Sequence, residues 1–249
     1  MKTLIIIPTY NESQNIEKMI RSIFTIHEWD DDLHILVVDD NSPDGTAHRV
    51  RDLKSRSYPE TLFLLSRDSK QGLGTAYIKG FQWGLAKTYG RFVEMDADFS
   101  HKPEYLPPMI EQTHHYDFII GSRYIPGGGV KGWGLLRKFI SMAGSLYARM
   151  ILGLPIHDLT GGFNLWTRSV LEHLDLNDIR SEGYAFQIEL KYKAFANGFS
   201  WSEYPIIFED RQAGKSKMSK RIIVEAIIRV LQMKLHTTNS KHKFRNPKQ

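Results

Sequence analysis

Short runs of aliphatic and β-branched residues alternate with helix-patterned segments through the first half of this sequence. The runs TLIIIPTY, LHILVVDD, TLFLLSR and RFVEM predict four strands, and HYDFIIGSRY predicts a fifth. Between them lie segments such as NIEKMIRSIF, whose apolar residues recur at helical spacing. Strands that alternate with helices form βαβ units, because parallel neighbours require a crossover connection. The pattern therefore predicts an α/β fold with a mainly parallel central sheet and helices on both faces.

Length and composition agree with one globular domain. Of the 249 residues, 41% are hydrophobic and 24% are charged, and a chain of this length can bury a substantial core. No internal repeat is visible. We expect a single domain over residues 1–235. After it we expect a basic, disordered tail over residues 236–249, because this stretch has several cations and no acid.

The composition also bears on the compartment and on the partners. The chain has no cysteine, which excludes disulfides and thiolate metal sites. The apolar run near the start stops at Pro8, too early for a secretory signal, and no run reaches the roughly 18 apolar residues of a membrane span. We therefore expect a cytoplasmic protein without a transmembrane segment. The net charge of +5 suits nucleic acid, an anionic membrane surface or a phosphate-bearing ligand equally well.

Polar and acidic residues follow the predicted strands. In open α/β sheets, ligands bind beyond the carboxyl ends of the strands, so these positions should converge on one crevice. The segments concerned are residues 8–12, 39–41, 96–98 and 121–123.

Asp96 and Asp98 form a pair of carboxylates at the end of the fourth predicted strand. Residues i and i+2 of an extended strand point to the same face, so the two charges would repel each other without a cation. Oxygen ligands without cysteine suit Mg²⁺ or Mn²⁺, and Mg²⁺ typically completes its shell with water and phosphate oxygens. The pair thus predicts a metal that carries a diphosphate. For such a short and common motif taken alone, two solvated loop acids would be the better interpretation.

Several motifs together resemble a known enzyme family. PTYNE, VDDNSPDGT, GLGTAY and MDADFSHKPE resemble the family 2 glycosyltransferases. GSRY, GGGVKGWGLLRKFIS, DLTGGFNLW, EGYAFQIEL and FEDRQAGKSKMS are similar to the dolichol-phosphate (polyprenol-phosphate) mannosyltransferases within that family. The motifs keep a consistent order from about residue 3 to about residue 235.

The resemblance implies a fold and a reaction. The fold would be the GT-A fold, a Rossmann-like domain that binds nucleotide sugars. The reaction would move mannose from GDP-mannose to the phosphate of a dolichol or other polyprenol, with inversion, and would need Mg²⁺ or Mn²⁺.

The resemblance also implies site residues. The donor nucleotide sugar would be held by Pro8, Tyr10, Glu12, Val38, Asp40, Asp96, Ala97, Asp98, Arg123, Arg211 and Lys217. Asp96 and Asp98 would ligate the metal, and Ser100 stands where some members have Gln, so a third protein ligand stays open. The acceptor phosphate would meet Arg123, Arg137 and Ser141. Catalysis would rest on Asp98, Arg123, Arg211 and Lys217. We interpret His101 as structural.

The segment LLRKFISMAGSLYARMILGL predicts a helix with one polar stripe. Arg137, Ser141, Ser145 and Arg149 recur every four residues, and apolar residues cover the remaining girth. Such a helix usually belongs to a core, but it could equally lie in a membrane interface and lead a lipid phosphate to Arg137 and Ser141. We favour the interfacial interpretation, with the protein peripheral on the cytosolic face of a membrane. The basic tail or a small membrane-anchoring subunit would be other routes to the bilayer.

Three other functions fit parts of the sequence. A related enzyme could load glucose or another sugar from a UDP donor onto the same lipid. Phosphatases with an aspartyl nucleophile also place acids after a strand, but theirs comes early in the domain, whereas Asp96 follows three predicted strands. A non-catalytic phosphate- or nucleic-acid-binding module is the least favoured, because the cations lie beside acids rather than in a basic stripe. We therefore expect no nucleic-acid partner.

Overall fold

The computed structural model describes residues 1–26, 32–179, 181–210 and 225–235. The strands are β1 (Thr3–Thr9), β2 (Leu33–Asp39), β3 (Leu62–Ser66), β4 (Arg91–Glu94), β5 (Phe118–Ser122), β6 (Gly129–Lys131), β7 (Asn164–Thr167), β8 (Trp201–Pro205) and β9 (Ile207–Glu209). The α-helices are α1 (Ile16–Phe24), α2 (Thr46–Ser57), α3 (Leu73–Leu85), α4 (Leu106–Glu111), α5 (Leu135–Leu152), α6 (Arg168–His173) and α7 (Gly183–Ala196). Residues 225–235 are helical as well.

Seven strands form one central sheet in the order β3-β2-β1-β4-β7-β5-β8. All neighbours are parallel except β7, which is antiparallel to both β4 and β5. A separate two-stranded sheet pairs β6 with β9. The α/β class, the mainly parallel sheet and the five strands expected in the first half are confirmed, whereas β6, β7, β8 and β9 were not predicted.

The core lies on both faces of the sheet. Leu4 and Ile6 of β1 point into one apolar cluster, and Ile5 and Ile7 point into the other. The first cluster includes residues of α3, α6 and α7, and the second includes residues of α1 and α4. Because both faces are covered, β1 is a continuous apolar run rather than an alternating one. Helices on both faces are thus confirmed.

Helix α3 packs unusually close to the sheet through glycines. A Cβ on Gly80 would lie 2.6 Å from Ile6 Cγ2, and one on Gly84 would lie 2.5 Å from Phe92 Cε1. Real Cβ atoms do not approach other atoms so closely, so these positions need glycine.

None of the helices within the described ranges combines the length and the apolar character that crossing a membrane requires. The basic tail expected over residues 236–249 lies outside the described residues.

We expect Gly80→Ala to lower the free energy of unfolding by about 1–3 kcal/mol, because an added methyl overpacks the interface between α3 and β1. Urea unfolding followed by circular dichroism measures the change. Gly144→Ala in α5 is the matched control, since a Cβ there meets nothing within 4 Å. That change should be neutral or should raise stability by up to about 1 kcal/mol through helix propensity. Equal losses in both variants would contradict the packing argument.

Candidate functional site

The loops that follow β1, β2 and β4 turn sharply over one edge of the sheet. The three non-glycine residues with positive φ in the described part of the chain are Asn11 (62°), Asn41 (56°) and Phe99 (63°), and each follows one of these strands. Left-handed backbone at non-glycine residues is costly and clusters at functional sites. Because β7 is antiparallel, its first residue, Asn164, lies at this same edge.

Hydrogen bonds from backbone amides to side chains tie the loop after β1 to the loop after β2. Asn11 donates its amide to Ser42 Oγ, Glu12 to Thr46 Oγ1, and Ser13 to Asp44 Oδ2, all at 3.0 Å. These bonds make the two loops one wall of the crevice.

The predicted nucleotide residues lie along this wall. Pro8 and Val38 are neighbours in register across β1 and β2. Tyr10 follows β1, and Lys70 Nζ lies 4.2 Å from the centre of its ring. Glu12 accepts a hydrogen bond from Asn15 Nδ2 at 3.0 Å, which orients its carboxylate. The structure thus brings these four residues together. The strand-end rule predicted this for Pro8, Tyr10 and Glu12, and the family resemblance added Val38.

Asp39 and Asp40 are both buried, but they have different surroundings. Asp39 accepts hydrogen bonds from Thr9 Oγ1 at 2.9 Å and from Ser42 Oγ at 2.6 Å, so it shapes the loop. Asp40 pairs through Oδ1 with Arg67, whose Nε lies 2.5 Å away. The Oδ2 atom of Asp40 accepts no hydrogen bond from the described residues, so it is available to a ligand.

Arg67 links Asp40 to the glycine-containing loop before α3. Its Nη1 donates to Thr75 Oγ1 at 2.8 Å and its Nη2 to the Gly72 carbonyl at 3.2 Å. Arg67 was not among the predicted site residues, although it is the last residue of the third predicted strand and so stands at a strand end. Two residues of the GLGTAY motif, Gly72 and Thr75, are therefore tied to Asp40 through Arg67.

The carboxylate pair lies in a turn rather than in a strand. β4 ends at Glu94, so the extended geometry used to place Asp96 and Asp98 on one face was wrong. Asp98 is buried and accepts hydrogen bonds from the Ser100 amide at 3.1 Å and the Ser100 hydroxyl at 2.5 Å. Asp96 keeps 35% of its side chain exposed. Ser100 therefore orients Asp98.

His101 contacts the same turn through a hydrogen bond to its backbone. Its ring is buried, stacks on Phe163 at 4.9 Å between centroids, and accepts the Asp96 amide hydrogen bond through Nδ1 at 3.1 Å. Burial lowers the pKa of His101 to about 4, so the ring is neutral at pH 7. Its approach of 3.9 Å to the Asp96 carboxylate is thus not an ion pair. A structural role agrees with the expectation from sequence.

The donor set of this turn fits a hard divalent cation. Asp96 and Asp98 offer carboxylate oxygens, and Mg²⁺ commonly uses one or two protein carboxylates together with water and substrate phosphate. No group of three or more His, Cys, Asp or Glu side chains that could hold a metal occurs in the described ranges. Two carboxylates would leave most of an octahedral shell to water and to the oxygens of a bound ligand.

Arg123 and Asp158 form a buried ion pair at the end of β5. Asp158 accepts from Arg123 Nε and Nη2, both at 2.7 Å, and from the Arg123 amide at 3.0 Å. Burial alone would raise the pKa of Asp158, but the charge and hydrogen bonds of Arg123 outweigh it and lower the pKa below its usual value. Asp158 was missed, although the DLTGG motif that contains it was recognised.

Arg137 and Ser141 lie close to Arg123 through two aromatic side chains. The ring centre of Trp133 lies 4.2 Å from Arg137 Cζ and 5.6 Å from Arg123 Cζ. Tyr124 has Arg123 Cζ 5.1 Å from its ring centre and donates its hydroxyl to Ser141 Oγ at 2.7 Å. Arg137 also pairs with Asp210 at 2.8 Å. The structure thus brings the three predicted acceptor residues together.

Three predicted site residues remain, Ala97, Arg211 and Lys217. Ala97 is buried between the two aspartates of the turn. Arg211 and Lys217 lie outside the described residues, and their role stays a prediction.

Comparison with known proteins identifies the family. The model of glycosyl transferase family 2 matches residues 4–175, more than half of the chain. The chain is a member of glycosyltransferase family 2. Similarity extends further in curated relatives. A polyprenol monophosphomannose synthase of Mycolicibacterium smegmatis is 45% identical over 92% of this chain and 85% of its own length. An undecaprenyl-phosphate mannosyltransferase of Micrococcus luteus is 44% identical over 92% of this chain and 93% of its own.

Solved structures show the same fold at low sequence identity. Glucosyl-3-phosphoglycerate synthase from Mycobacterium tuberculosis, crystallised with Mn²⁺, UDP and glucosyl-3-phosphoglycerate, superposes with a TM-score of 0.67 at 18% identity. The match covers 94% of this chain and 79% of that one. The GT-A fold implied by the sequence motifs is therefore confirmed, as is the resemblance to the polyprenol-phosphate mannosyltransferases.

We expect Asp158→Ala to lower the free energy of unfolding by about 3–5 kcal/mol, because it leaves the buried charge of Arg123 without its partner. Urea unfolding measures the loss. The control is Glu172→Ala, which removes an exposed partner of Arg168 at the same 2.7 Å separation. Exposed pairs contribute about 0–1 kcal/mol, so the control should change little. A small effect at Asp158 would mean that solvent screens this pair.

Proposed function

We propose that this protein transfers mannose from GDP-mannose to the phosphate of a polyprenyl phosphate, such as dolichyl phosphate, in a membrane. The products would be polyprenyl phosphate mannose and GDP. Family membership supports a glycosyl transfer, and the names of the two curated relatives support mannose and a polyprenyl phosphate. The observation that carries the proposal is the orientation of α5, whose polar stripe faces the site and whose apolar side faces solvent.

The outer face of α5 is apolar at helical spacing. Leu135, Phe139 and Met150 expose 87%, 70% and 67% of their surfaces, and Leu136, Met142 and Leu146 are exposed as well. The stripe predicted to be polar faces inward, where Ser145 is buried against Thr160 at 3.1 Å. A soluble helix normally has the reverse arrangement, and apolar helix faces of this kind suit the headgroup region of a bilayer.

The helical segment 225–235 extends this apolar surface. Tyr147 of α5 donates its hydroxyl to the Ile227 carbonyl at 3.3 Å, so the segment lies against α5. Within this segment Val230 is buried. The exposed apolar side chains of the segment are Ile227, Ile228, Leu231 and Leu235. Two neighbouring apolar helices would support peripheral binding at the cytosolic face of a membrane, next to Arg137 and Ser141.

The acceptor chemistry suits the residues present. A phosphate monoester is already anionic at pH 7, so its oxygen can attack without a strong general base. The bond formed joins an acceptor phosphate oxygen to C1 of mannose, and the bond broken joins C1 to the β-phosphate oxygen of GDP. Attack from the opposite side would convert an α-linked donor into a β-linked product. Arg123 and Arg137 would offset the acceptor charge, with Arg211 and Lys217 as further predicted cations.

The donor would lie along the wall formed by the loops after β1 and β2. Tyr10 offers a ring face, and Glu12 and Asp40 offer acceptors for the N–H and O–H groups of base and ribose. Asp96 and Asp98 would hold Mg²⁺ or Mn²⁺, which offsets the charge of the diphosphate when bound. Asp98, oriented by Ser100, would fix the position of the diphosphate relative to Arg123.

We expect Asp98→Ala to reduce mannosyl transfer at least about 100-fold while leaving the fold intact, because it removes a carboxylate from the metal-binding turn. The assay uses labelled GDP-mannose, Mn²⁺ or Mg²⁺ and polyprenyl phosphate, and scores labelled lipid. Asp52→Ala on the exposed side of α2 is the control and should retain full activity. Loss of the circular dichroism spectrum in Asp98→Ala would mean that the pair is structural. Transfer from UDP-glucose instead of GDP-mannose by the wild type would reassign the donor.

We expect the double variant Phe139→Ser, Met150→Ser to sediment poorly with anionic phospholipid vesicles, because two exposed apolar anchors are lost. Transfer to a long-chain acceptor in vesicles should fall, while transfer to a short, water-soluble polyprenyl phosphate should persist. Tyr116→Ser is the control, since Tyr116 is an exposed aromatic residue just before β5, at the opposite edge of the sheet. Unchanged sedimentation of the double variant would reject α5 as the membrane contact.

A further inference from the structure

Lys191 lies in the middle of α7 and is fully buried. Its ammonium group donates to three carbonyl oxygens of one loop, those of Asp158 at 3.3 Å, Leu159 at 3.3 Å and Gly161 at 2.7 Å. An ammonium has three donors, so all of them serve this loop. No carboxylate of the described residues lies within ion-pair distance of Lys191.

The loop that Lys191 holds is the one that supplies Asp158 to Arg123. The Gly161 amide closes the loop by donating to Asp158 Oδ1 at 2.9 Å. This conformation turns three carbonyl groups inward, where buried oxygens need donors. Lys191 provides those donors, and Asn164 Nδ2 adds one to the Gly161 carbonyl at 3.2 Å.

A buried lysine is a costly way to satisfy carbonyl groups. Taking an ammonium out of water carries a penalty of several kcal/mol unless the surroundings compensate for it. Burial lowers the pKa of Lys191, although the charges of Asp158 and Glu94 oppose the shift. The three carbonyl acceptors around Nζ favour the ammonium form, which alone has three donors. A cation retained at this cost is expected to support a demanding geometry.

The geometry in question is the direction in which the guanidinium of Arg123 points. Asp158 occupies Nε and Nη2 of the guanidinium, and Nη2 also donates to Thr160 Oγ1 at 3.0 Å. Nη1 makes no hydrogen bond with the described residues, so it is the nitrogen left for a phosphate oxygen. A guanidinium held at two nitrogens has a fixed direction for the third.

We propose that Lys191 is a positioning residue that acts through the 158–161 loop to aim Arg123 at the acceptor phosphate. The inference rests on the proposed function, because it takes the acceptor to be a lipid phosphate. Lys191 itself touches no substrate.

The test compares Lys191→Met, which keeps an unbranched side chain one atom shorter but removes its donors, with Lys193→Met. Lys193 lies on the same helix and pairs with Asp178 and Glu189, away from the loop. We expect Lys191→Met to lower kcat/KM for polyprenyl phosphate about 10- to 100-fold, and Lys193→Met to leave it unchanged. Binding of GDP with Mn²⁺, measured by calorimetry, should be the same in both variants.

Two further measurements separate positioning from a general loss of structure. In a double-mutant cycle with Arg123→Lys, the combined loss should not exceed that of Arg123→Lys alone, because both changes act on one guanidinium. Losses that multiply would overturn the proposal, as would full activity of Lys191→Met. If Lys191→Met fails to fold, Lys191→Gln replaces it, because Gln retains two N–H donors. Its loss of kcat/KM should be smaller and should again be absent in the Arg123→Lys background. A loss that persists in that background would overturn the proposal.

Amide hydrogen exchange makes the result independent of the reaction. The Gly161 and Arg123 amides, both bonded to Asp158, should exchange faster in Lys191→Met than in Lys193→Met. Faster exchange in an enzyme whose wild type transfers no mannose would reject the proposed function but keep the role of Lys191 in the loop. Unchanged exchange would reject the role of Lys191 whatever the wild type transfers.

Discussion

The ion pair between Arg123 and Asp158 is the constraint around which the second half of the site is organised. Both groups are buried, and a buried charge without its partner costs several kcal/mol. Arg123 directly follows β5, and Asp158 lies in the loop that enters β7. To deliver Asp158 to Arg123, that loop must pass over the site edge of the sheet. The next strand then starts at this edge, which is why β7 runs antiparallel between β4 and β5.

The orientation of α5 is the second organising feature, and it depends on the first. Ser145 meets Thr160, which also accepts from Arg123, and Ser141 meets Tyr124. These hydroxyl contacts attach the polar stripe of α5 to the loop of the ion pair. Because the polar stripe occupies the inner face of α5, the apolar residues on the other sides of the helix must face outward. An apolar outer face is unfavourable in water and favourable in a bilayer.

The sequence predicted the first half of the fold well because that information is local. The first four strands, together with β5, are apolar runs with helical segments between most of them, and the strand-end rule placed Pro8, Tyr10 and Asp40 together. The second half depends on contacts distant in sequence. Arg123 and Asp158 are 35 residues apart, and no spacing rule pairs them. β6, β7 and β9 have three or four residues each, too few for a period to be recognised. Asp96 and Asp98 were predicted to lie in an extended strand, because nothing in the sequence indicates the positive φ that Phe99 adopts in this turn.

The two halves of the site also differ in the contacts that hold them. The loops after β1 and β2 are joined by hydrogen bonds, and they lie side by side because β1 and β2 are parallel neighbours in the sheet. The other half is held by contacts between segments that are distant in the chain. Thr160 of the 158–161 loop meets Ser145 of α5, and Lys191 of α7 donates to three carbonyl groups of that loop. A change in α7 can therefore move Asp158 and the inner face of α5 while the hydrogen bonds between the loops after β1 and β2 stay intact.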